Sequence, residues 1–319
     1  MDASREQELI NVAELYYLQD YTMESIGRRL GRSRSSISRL LKAAREEGFV
    51  SITLNNPAHR RLGLAAKIQE LFGVEARVVT LSDESDPATI LDEVALTAAR
   101  LLAMWMDHET VLGVAWGTTT SAVSRHLENK SARGSVVVQL NGAASPRTSG
   151  VTYVGTIMSR FAEAFGSQIV DFPVPAFFDH VETKELMWSE RCILRVRDTQ
   201  ARASVALFSV GGFAGSLPSH VYSAGYLDHD DIKALQADGV VGDVCTVLLR
   251  ADGSSTDIDI NRRASGPDPE QLKRIPRRMC VVAGEAKALP LLAALRAGVA
   301  THLVIDEVLA ASLLKVVAE

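Results

Sequence analysis

"VLGVAWGTTTSAVSRHL", residues 111–127, runs from apolar, partly β-branched residues into Gly117, then three threonines. It reads as a strand near 110–116, a tight turn at Gly117 and a helix over 119–128. Strand, glycine and helix in that order are half of a βαβ unit, and the flanking sequence continues the pattern. Upstream, a helical segment at 64–73 leads into the strand "ARVVTL" (76–81) and a long alanine- and leucine-rich helix, 88–106. Downstream, strands are expected near 135–140, 168–172, 203–210, 244–250, 278–283 and 301–305. Helices at 152–165, 228–237, 286–297 and 306–317 fill most of the intervals. Such alternation predicts a mainly parallel α/β domain of three layers. Ligands of such sheets sit at the C-terminal ends of strands, which directs attention to the loops there.

Four strand-end loops carry polar groups. Gly117, Thr118 and Thr119 open a helix, where unpaired amides and hydroxyls suit an anion or a polyol. Asn141-Gly142 ends "VVQL" with an amide side chain beside a flexible turn. Asp243, in "GVVGDVCTVLL" (239–249), has apolar neighbours and needs a partner or solvent. Gly284 and Lys287, in "CVVAGEAKALPLLAAL" (280–295), place an ammonium beside a helix start. Each loop alone also fits an ordinary structural turn; together they could converge on one pocket. None is a Walker A loop or a GxGxxG turn, so no cofactor is implied.

The first sixty residues read differently. Leu9, Val12, Ala13, Leu15, Tyr16 and Leu18 recur at helical spacing in a helix that fades near Asp20. Thr22 is a good N-cap for a second helix, about 23–30, and Gly31 is its turn. A third helix begins at Ser33 or Arg34 and stops at Gly48. Its inner face is Ile37, Leu40, Leu41 and Ala44; Arg34, Ser35, Ser38, Arg39, Lys42 and Arg45 face out. Two short helices joined by a glycine turn, the second basic and rich in hydroxyls, make a helix-turn-helix. "FVSITL" (49–54) suggests a wing strand, and the polar "NNPAHRRLG" (55–63) a linker. The expected organisation is a helix-turn-helix domain over 1–54, that linker, and a second domain over 64–319.

Charge supports the division. The chain has a net charge of −5, yet residues 1–60 hold nine basic and eight acidic residues against 25 and 31 in the remainder. Between Arg28 and Arg45 lie seven basic residues and no acidic one, a local footprint for phosphates on a mildly acidic protein. With 47% hydrophobic and 23% charged residues, the composition is that of an ordinary globular protein. No apolar run is long enough to span a membrane, and the polar N-terminus is not a secretory signal, so a cytoplasmic protein is expected. Cys192, Cys245 and Cys280 are far apart in apolar, strand-like stretches and read as buried free thiols.

Catalytic signatures are sparse. There is no GxSxG elbow and no HExxH helix. "DHDDIK" (228–233) reads as helix capping rather than a metal cluster. "DIDI" (257–260) alternates like a strand, with both aspartates toward water. Glu285 and Asp306-Glu307 are the acids near strand ends, and nothing pairs with them in sequence.

Taken together, "YTMESIGRRLGRSRSSISRLLKAAREEGFV" (21–50), "GVAWGTTT" (113–120), "GDV" (242–244), "VVAGEAKALPLLAALRAG" (281–298) and "THLVIDEVLAASLL" (301–314) resemble the SorC/DeoR-type sugar-responsive bacterial transcription regulators. The resemblance covers roughly residues 9–316. It implies a winged-helix-type DNA-binding domain joined to an effector domain like ribose-phosphate isomerases, glucosamine-phosphate deaminases and CoA transferases. It further implies operator DNA as partner, a small sugar, sugar phosphate or polyol as effector, and a dimer or tetramer. The candidate operator contacts are Thr22, Arg32, Ser33, Arg34, Ser35, Ser36 and Arg39. The implied effector pocket uses Gly117, Thr118, Thr119, Asn141, Gly142, Asp243, Gly284 and Lys287. Asn141 stands where some relatives have a basic residue, and Glu285 replaces a glycine and adds a negative charge near Lys287. Both departures weigh against a bisphosphate and leave a monophosphate or an uncharged sugar open. The competing expectations are an isomerase- or deaminase-like enzyme with a DNA-binding appendage, and a DNA-binding protein with an inert body.

Overall fold

The computed structural model describes residues 3–50, 57–81, 85–215 and 219–318. The chain divides into two compact units, Met1–Asn56 and Pro57–Glu319.

In the first unit, α1 (Ala3–Ala13) passes into a π-helical turn, Glu14–Leu18, and is followed by α2 (Met23–Leu30) and α3 (Arg34–Glu46). Thr22 and Ser33 cap the two later helices: their side chains accept the Ser25 and Ser36 amides, each at 3.2 Å. These bonds satisfy N–H groups that the first helical turn leaves without partners. Gly31 ends α2 in the left-handed region at φ 64°. The helices enclose Val12, Leu15, Ile26, Ile37 and Leu41, all at most 4% exposed. Gly27 sets how close α2 comes to the turn, because a Cβ there would lie 2.6 Å from the Arg32 carbonyl oxygen. The wing expected at 49–54 falls mostly outside the described residues, and Phe49 and Val50 are not strand.

The second unit opens with α4 (Pro57–Phe72), β1 (Glu75–Val79), α5 (Pro87–Trp105), β2 (Val111–Val114), α6 (Thr118–Arg125) and β3 (Val136–Gln139). It continues through α7 (Val151–Phe165), β4 (Gln168–Val170), α8 (Val181–Ser189), α9 (Arg191–Ala201), β5 (Val205–Phe208) and β6 (Val210–Gly212). Next come α10 (His220–Ser223), α11 (His229–Ala237), β7 (Val240–Val244), β8 (Val247–Arg250) and α12 (Pro269–Lys273). It closes with β9 (Arg277–Val282), α13 (Ala288–Arg296), β10 (His302–Asp306) and α14 (Glu307–Ala318).

Seven strands form a parallel sheet in the order β1-β10-β9-β5-β2-β3-β4. Alternate side chains enter two cores. Leu112, Val114, Val205, Leu207 and Val281 pack with helices α5, α6 and α7. Ala206, Phe208, Cys280, Val282, Leu303 and Ile305 pack with α4, α13 and α14. Helices on both faces are what a parallel sheet requires, since its crossovers cover it twice. Gly113 admits Leu140, whose Cδ2 would lie 2.6 Å from a Cβ at that position. The expected three-layer α/β body is therefore present.

Four expectations need correction. Residues 57–63 are helical rather than linker: Pro57 begins α4, where a missing N–H costs nothing, and Gly63 is tolerated within it. The strand expected at 244–250 is a hairpin, β7 and β8, which with β6 makes a separate antiparallel sheet. The "DIDI" segment is a 3₁₀ turn, Asp259–Arg262, that buries Ile258 and Ile260 and leaves both aspartates exposed. Cys192 is an exposed helical residue, while Cys245 and Cys280 are buried. At 228–233, Asp228 caps α11 by accepting the Asp231 amide at 2.8 Å.

Gly27→Ala should loosen the first unit by about 1–3 kcal/mol through overpacking. Amide exchange would accelerate over 23–46 and stay unchanged over 277–305; equal rates in both proteins would show that the turn yields freely.

Candidate functional site

The exposed face of α3 carries Arg34, Ser35, Ser38, Arg39, Lys42 and Arg45. The serine hydroxyls at its start form one cluster, with Ser33 Oγ 2.9 Å from both Ser35 Oγ and Ser36 Oγ. Thr22 and Ser33 are thus occupied as caps, and Arg32 is paired with Glu8 at 2.5 Å. Arg34 has no hydrogen bond or ion pair from its side chain among the described residues. Arg39 reaches back only to the Ser35 carbonyl, at 3.4 Å. The basic residues free to meet a partner therefore lie along α3 itself, and Lys42 shares its charge only with exposed Glu46.

In the body, a cavity opens where β2, β3, β5 and β9 end and β6 begins. Its lining includes Gly117, Thr118, Thr119, Asn141, Asp243 and Lys287. Of the eight residues expected there, Gly142 and Gly284 are not on its surface. Gly142 acts behind the wall, donating its amide to Ser265 Oγ at 2.9 Å. Gly284, at φ 95°, donates to Asp306 Oδ2 at 2.8 Å. Glu285 does not line the cavity either; its carboxylate accepts from Ser312 Oγ at 2.8 Å, so the negative charge expected beside Lys287 is directed elsewhere.

Residues 56–315 match the family model described as "Putative sugar-binding domain". The chain belongs to the SorC family of sugar-binding transcriptional regulators. Residues 4–47 match sigma-70 region 4, which agrees with the helix-turn-helix of the first unit. The deoxyribonucleoside regulator of Bacillus subtilis (strain 168) is 31% identical over 96% of this chain and 97% of its own length. The crystal structure of a domain of a possible sugar-binding transcriptional regulator from Arthrobacter aurescens TC1 superposes with a TM-score of 0.76 at 49% identity. It covers 80% of this chain and 97% of that one. The full-length sorbitol operon regulator SorC of Klebsiella pneumoniae has the same fold, with a TM-score of 0.72 and 23% identity over 98% of this chain and all of its own. The family consists of DNA-binding regulators, so the enzyme expectation is set aside. Among the described residues no helix is long and apolar enough to cross a membrane.

The wall of this regulator's cavity is fastened by residues that the sequence did not single out, of which Trp116 itself lines the cavity. Trp116 Nε1 donates to the Gly142 carbonyl at 2.8 Å and to that of Asn141 at 3.2 Å. Tyr226 stacks on Trp116, with centroids 5.1 Å apart, and donates to the Ala143 carbonyl at 2.8 Å. Gln139 Nε2 donates to the Asn141 carbonyl at 2.7 Å. The carbonyls of 141–143 all accept hydrogen bonds, while the Asn141 side-chain oxygen is buried without a partner. "TTT" and "NG" could be found as turn signals; Trp116 could not, because an aromatic residue beside a strand reads as core, nor could Tyr226, which lies between α10 and α11 with no local pattern.

Asp243 is 5% exposed and accepts the Thr246 amide at Oδ2, 3.0 Å away. Its other oxygen has no well-formed hydrogen bond; the buried Tyr222 hydroxyl faces the carboxyl and also lacks one. Lys287 Nζ donates to Ser219 Oγ at 2.5 Å and to the Val210 carbonyl at 3.2 Å. Burial pushes the Asp243 carboxyl above its usual range, opposed by Tyr222, the Thr246 amide and Lys287. Burial also lowers the Lys287 ammonium, with Asp243 opposing. The two charges support each other at the cavity floor. Thr119 Oγ1 accepts from Ser209 Oγ at 3.2 Å, tying the threonine loop to the end of β5.

A carboxyl whose folded pKa is raised stabilises the fold below its unfolded pKa, near 4, and that contribution disappears as pH rises through the folded value. Wild type should therefore lose stability relative to Asp243→Asn as pH rises from 4 toward neutrality, measured by denaturant unfolding. A difference that does not vary with pH would show that Asp243 ionises in place as easily as in water.

Proposed function

We propose that the cavity binds a small polyhydroxylated effector, and that its occupancy sets the affinity of α3 for operator DNA. The observation that carries this is a buried acceptor in the cavity lining, Asn141 Oδ1, which has no partner, beside the Asp243 carboxyl, whose Oδ1 is met only by a poorly aligned Tyr222 hydroxyl. An unmet buried acceptor costs about 1–3 kcal/mol, so a ligand that donates there is rewarded. Hydroxyl groups donate; a phosphate facing the Asp243 carboxylate would be repelled. A single phosphate has its alternative place at the Thr118–Thr120 amides, where α6 begins, with Lys287 nearby. A sugar, a polyol or a monophosphate is favoured over a bisphosphate. The departure at Asn141 supports this reading; the one at Glu285 does not bear on it. The deoxyribonucleoside and sorbitol named for the two relatives are of the same polyhydroxylated class.

The cavity encloses about 80 Å³, well below the roughly 300–1,000 Å³ of typical ligand sites. A ligand must therefore select a wider state. That unequal affinity is what allows binding to shift a conformational equilibrium. We place the regulator in the cytoplasm as a homo-oligomer, dimer or tetramer, because paired recognition helices read paired half-sites. In each pair Arg34, Ser35 and Arg39 face the major groove, where arginine can bridge guanine N7 and O6. Arg32, Ser33, Ser36 and Thr22 hold the helix in place and reach only phosphates.

Two measurements test the proposal. A thermal-shift screen of pentoses, 2-deoxyribose, hexitols and their monophosphates should yield a stabilising ligand, and Asp243→Asn should abolish its effect. Arg34→Ala should weaken operator binding by about 1–3 kcal/mol per half-site while the ligand shift persists. Unchanged operator affinity would overturn the assignment of α3 as the recognition helix.

A further inference from the structure

A second cavity, of about 450 Å³, lies in the body and shares no lining residue with the first. Its cations come from three elements: Lys184 on α8, Arg197 on α9 and Arg274 just after α12. Trp188, one turn beyond Lys184, organises two of them. Lys184 Nζ is 5.5 Å from the indole centroid and the Arg197 guanidinium carbon 5.4 Å. Cations over an aromatic face are held in place by the ring quadrupole. The carboxylates nearest to them, Asp268 and Glu185 toward Lys184 and Glu270 toward Arg274, form no ion pair with them. Among the described residues, neither Arg197 nor Arg274 makes a side-chain hydrogen bond or an ion pair. Lys184 donates once, to the Arg262 carbonyl at 3.0 Å. Asp268 is the single carboxylate on the described wall, and it is engaged in a capping box with Gln271. Burial lowers the Lys184 ammonium and the charge of Arg197 lowers it further, with Asp268 and Glu185 opposing. Three like charges around one half-enclosed space are stabilised by an anion between them.

We propose that this cavity is a second ligand site, for a small anion such as a phosphate ester or carboxylate, clamped by Arg197, Arg274 and Lys184. Guanidinium groups suit both chemistries, because their paired N–H donors match two oxygens of either anion. The site is placed to communicate with the effector cavity. Gln200, one turn after Arg197, donates to the carbonyls of Gln139 at 2.8 Å and Leu140 at 3.3 Å. Ser265, on the wall of the second cavity, accepts the Gly142 amide at 2.9 Å and donates to the Ala176 carbonyl at 3.0 Å. Leu140 lines one cavity and Asn141 the other, so a single stretch of backbone partitions them. An anion that repositions α9 acts on that partition, and any coupling is reciprocal. The proposal does not depend on the identity of the ligand in the first cavity.

Isothermal titration of the full chain, free of DNA, with inorganic phosphate and separately with malonate at constant ionic strength tests it. Saturable binding of at least one is expected, and the tighter of the two identifies the anion class. Arg197→Gln/Arg274→Gln should weaken it about tenfold or more. Arg274→Gln alone, at an exposed position, should weaken it severalfold. Lys287→Met and Arg34→Ala, which remove cations of the effector cavity and of α3, should leave it within about twofold. Binding should also slow amide exchange over 139–145. No saturable binding of either anion would overturn the proposal. So would binding lost in Lys287→Met or Arg34→Ala but kept in the cavity variants. Binding without a change at 139–145 would overturn the coupling.

Discussion

The cavity at the strand ends depends on a hairpin that its own sequence disfavours. Val244 pairs with Val247 across a two-residue turn, so Cys245 and Thr246 must both adopt left-handed backbone, at φ 51° and 71°. Turns of this kind ordinarily use asparagine, aspartate or glycine. Each unsuited residue costs on the order of 1–3 kcal/mol. Asp243 holds the turn by accepting the Thr246 amide, and Gly211, its register partner on β6, leaves room for the carboxylate. A Cβ at Gly211 would lie 1.8 Å from Asp243 Oδ1, and one at Gly266 would lie 1.7 Å from the Cys245 carbonyl oxygen. Strain, glycine placement and a buried acid thus meet at one corner of the cavity. Cys245 and Thr246 line it as well, so the strained residues face whatever the cavity holds.

The same corner explains what could be read from sequence. The parallel strands were legible because burial on both faces makes them continuous apolar runs, as in "VLGV" and "MCVV". The helix-turn-helix was legible because Thr22, Gly31 and Ser33 are local signals whose chemistry does not depend on distant contacts. The hairpin was not, since "GDVCTVLL" contains no turn residue where the chain reverses; only the packing around Asp243 makes the turn tolerable. Helix α8 gave no periodic signal because it buries none of its residues fully, and Leu186 is 71% exposed. Pro57 and Gly63 mark a linker by composition, yet a proline at a helix start is favourable.

The candidate site was partly legible for a related reason. Thr118, Thr119, Asn141 and Lys287 follow strands, and the topology brings strand ends together whatever lies between them; Asp243 reaches the same place from within β7. Gly142 and Gly284 were found by the same rule, but glycines shape backbone without presenting a group, and both lie behind the surface. Glu285 shows the limit of adjacency. Two residues from Lys287 in sequence, it points to Ser312 instead, because a 3₁₀ turn separates the directions of neighbouring side chains. Trp116, Tyr226 and Gln139 act through backbone carbonyls of a loop remote in sequence, and no local pattern announces such bonds.

The wall formed by residues 140–142 carries the proposed function furthest. Its carbonyls are held by Trp116, Gln139 and Gln200, and its Gly142 amide by Ser265. With its carbonyls satisfied, the wall can present an unpaired Asn141 oxygen without unravelling. The same arrangement makes the empty state costly, since the Asn141 oxygen stays buried and unmet. On the proposed function, a ligand that supplies donors removes that cost, and the orphaned acceptor gives affinity for hydroxyl groups. A catalyst would need Asp243 or Lys287 free to exchange protons with a substrate. Here one supports a strained turn, the other is tied to Ser219 and Val210, and the charges balance each other. On the proposed function, the cavity holds a ligand and registers that it is held.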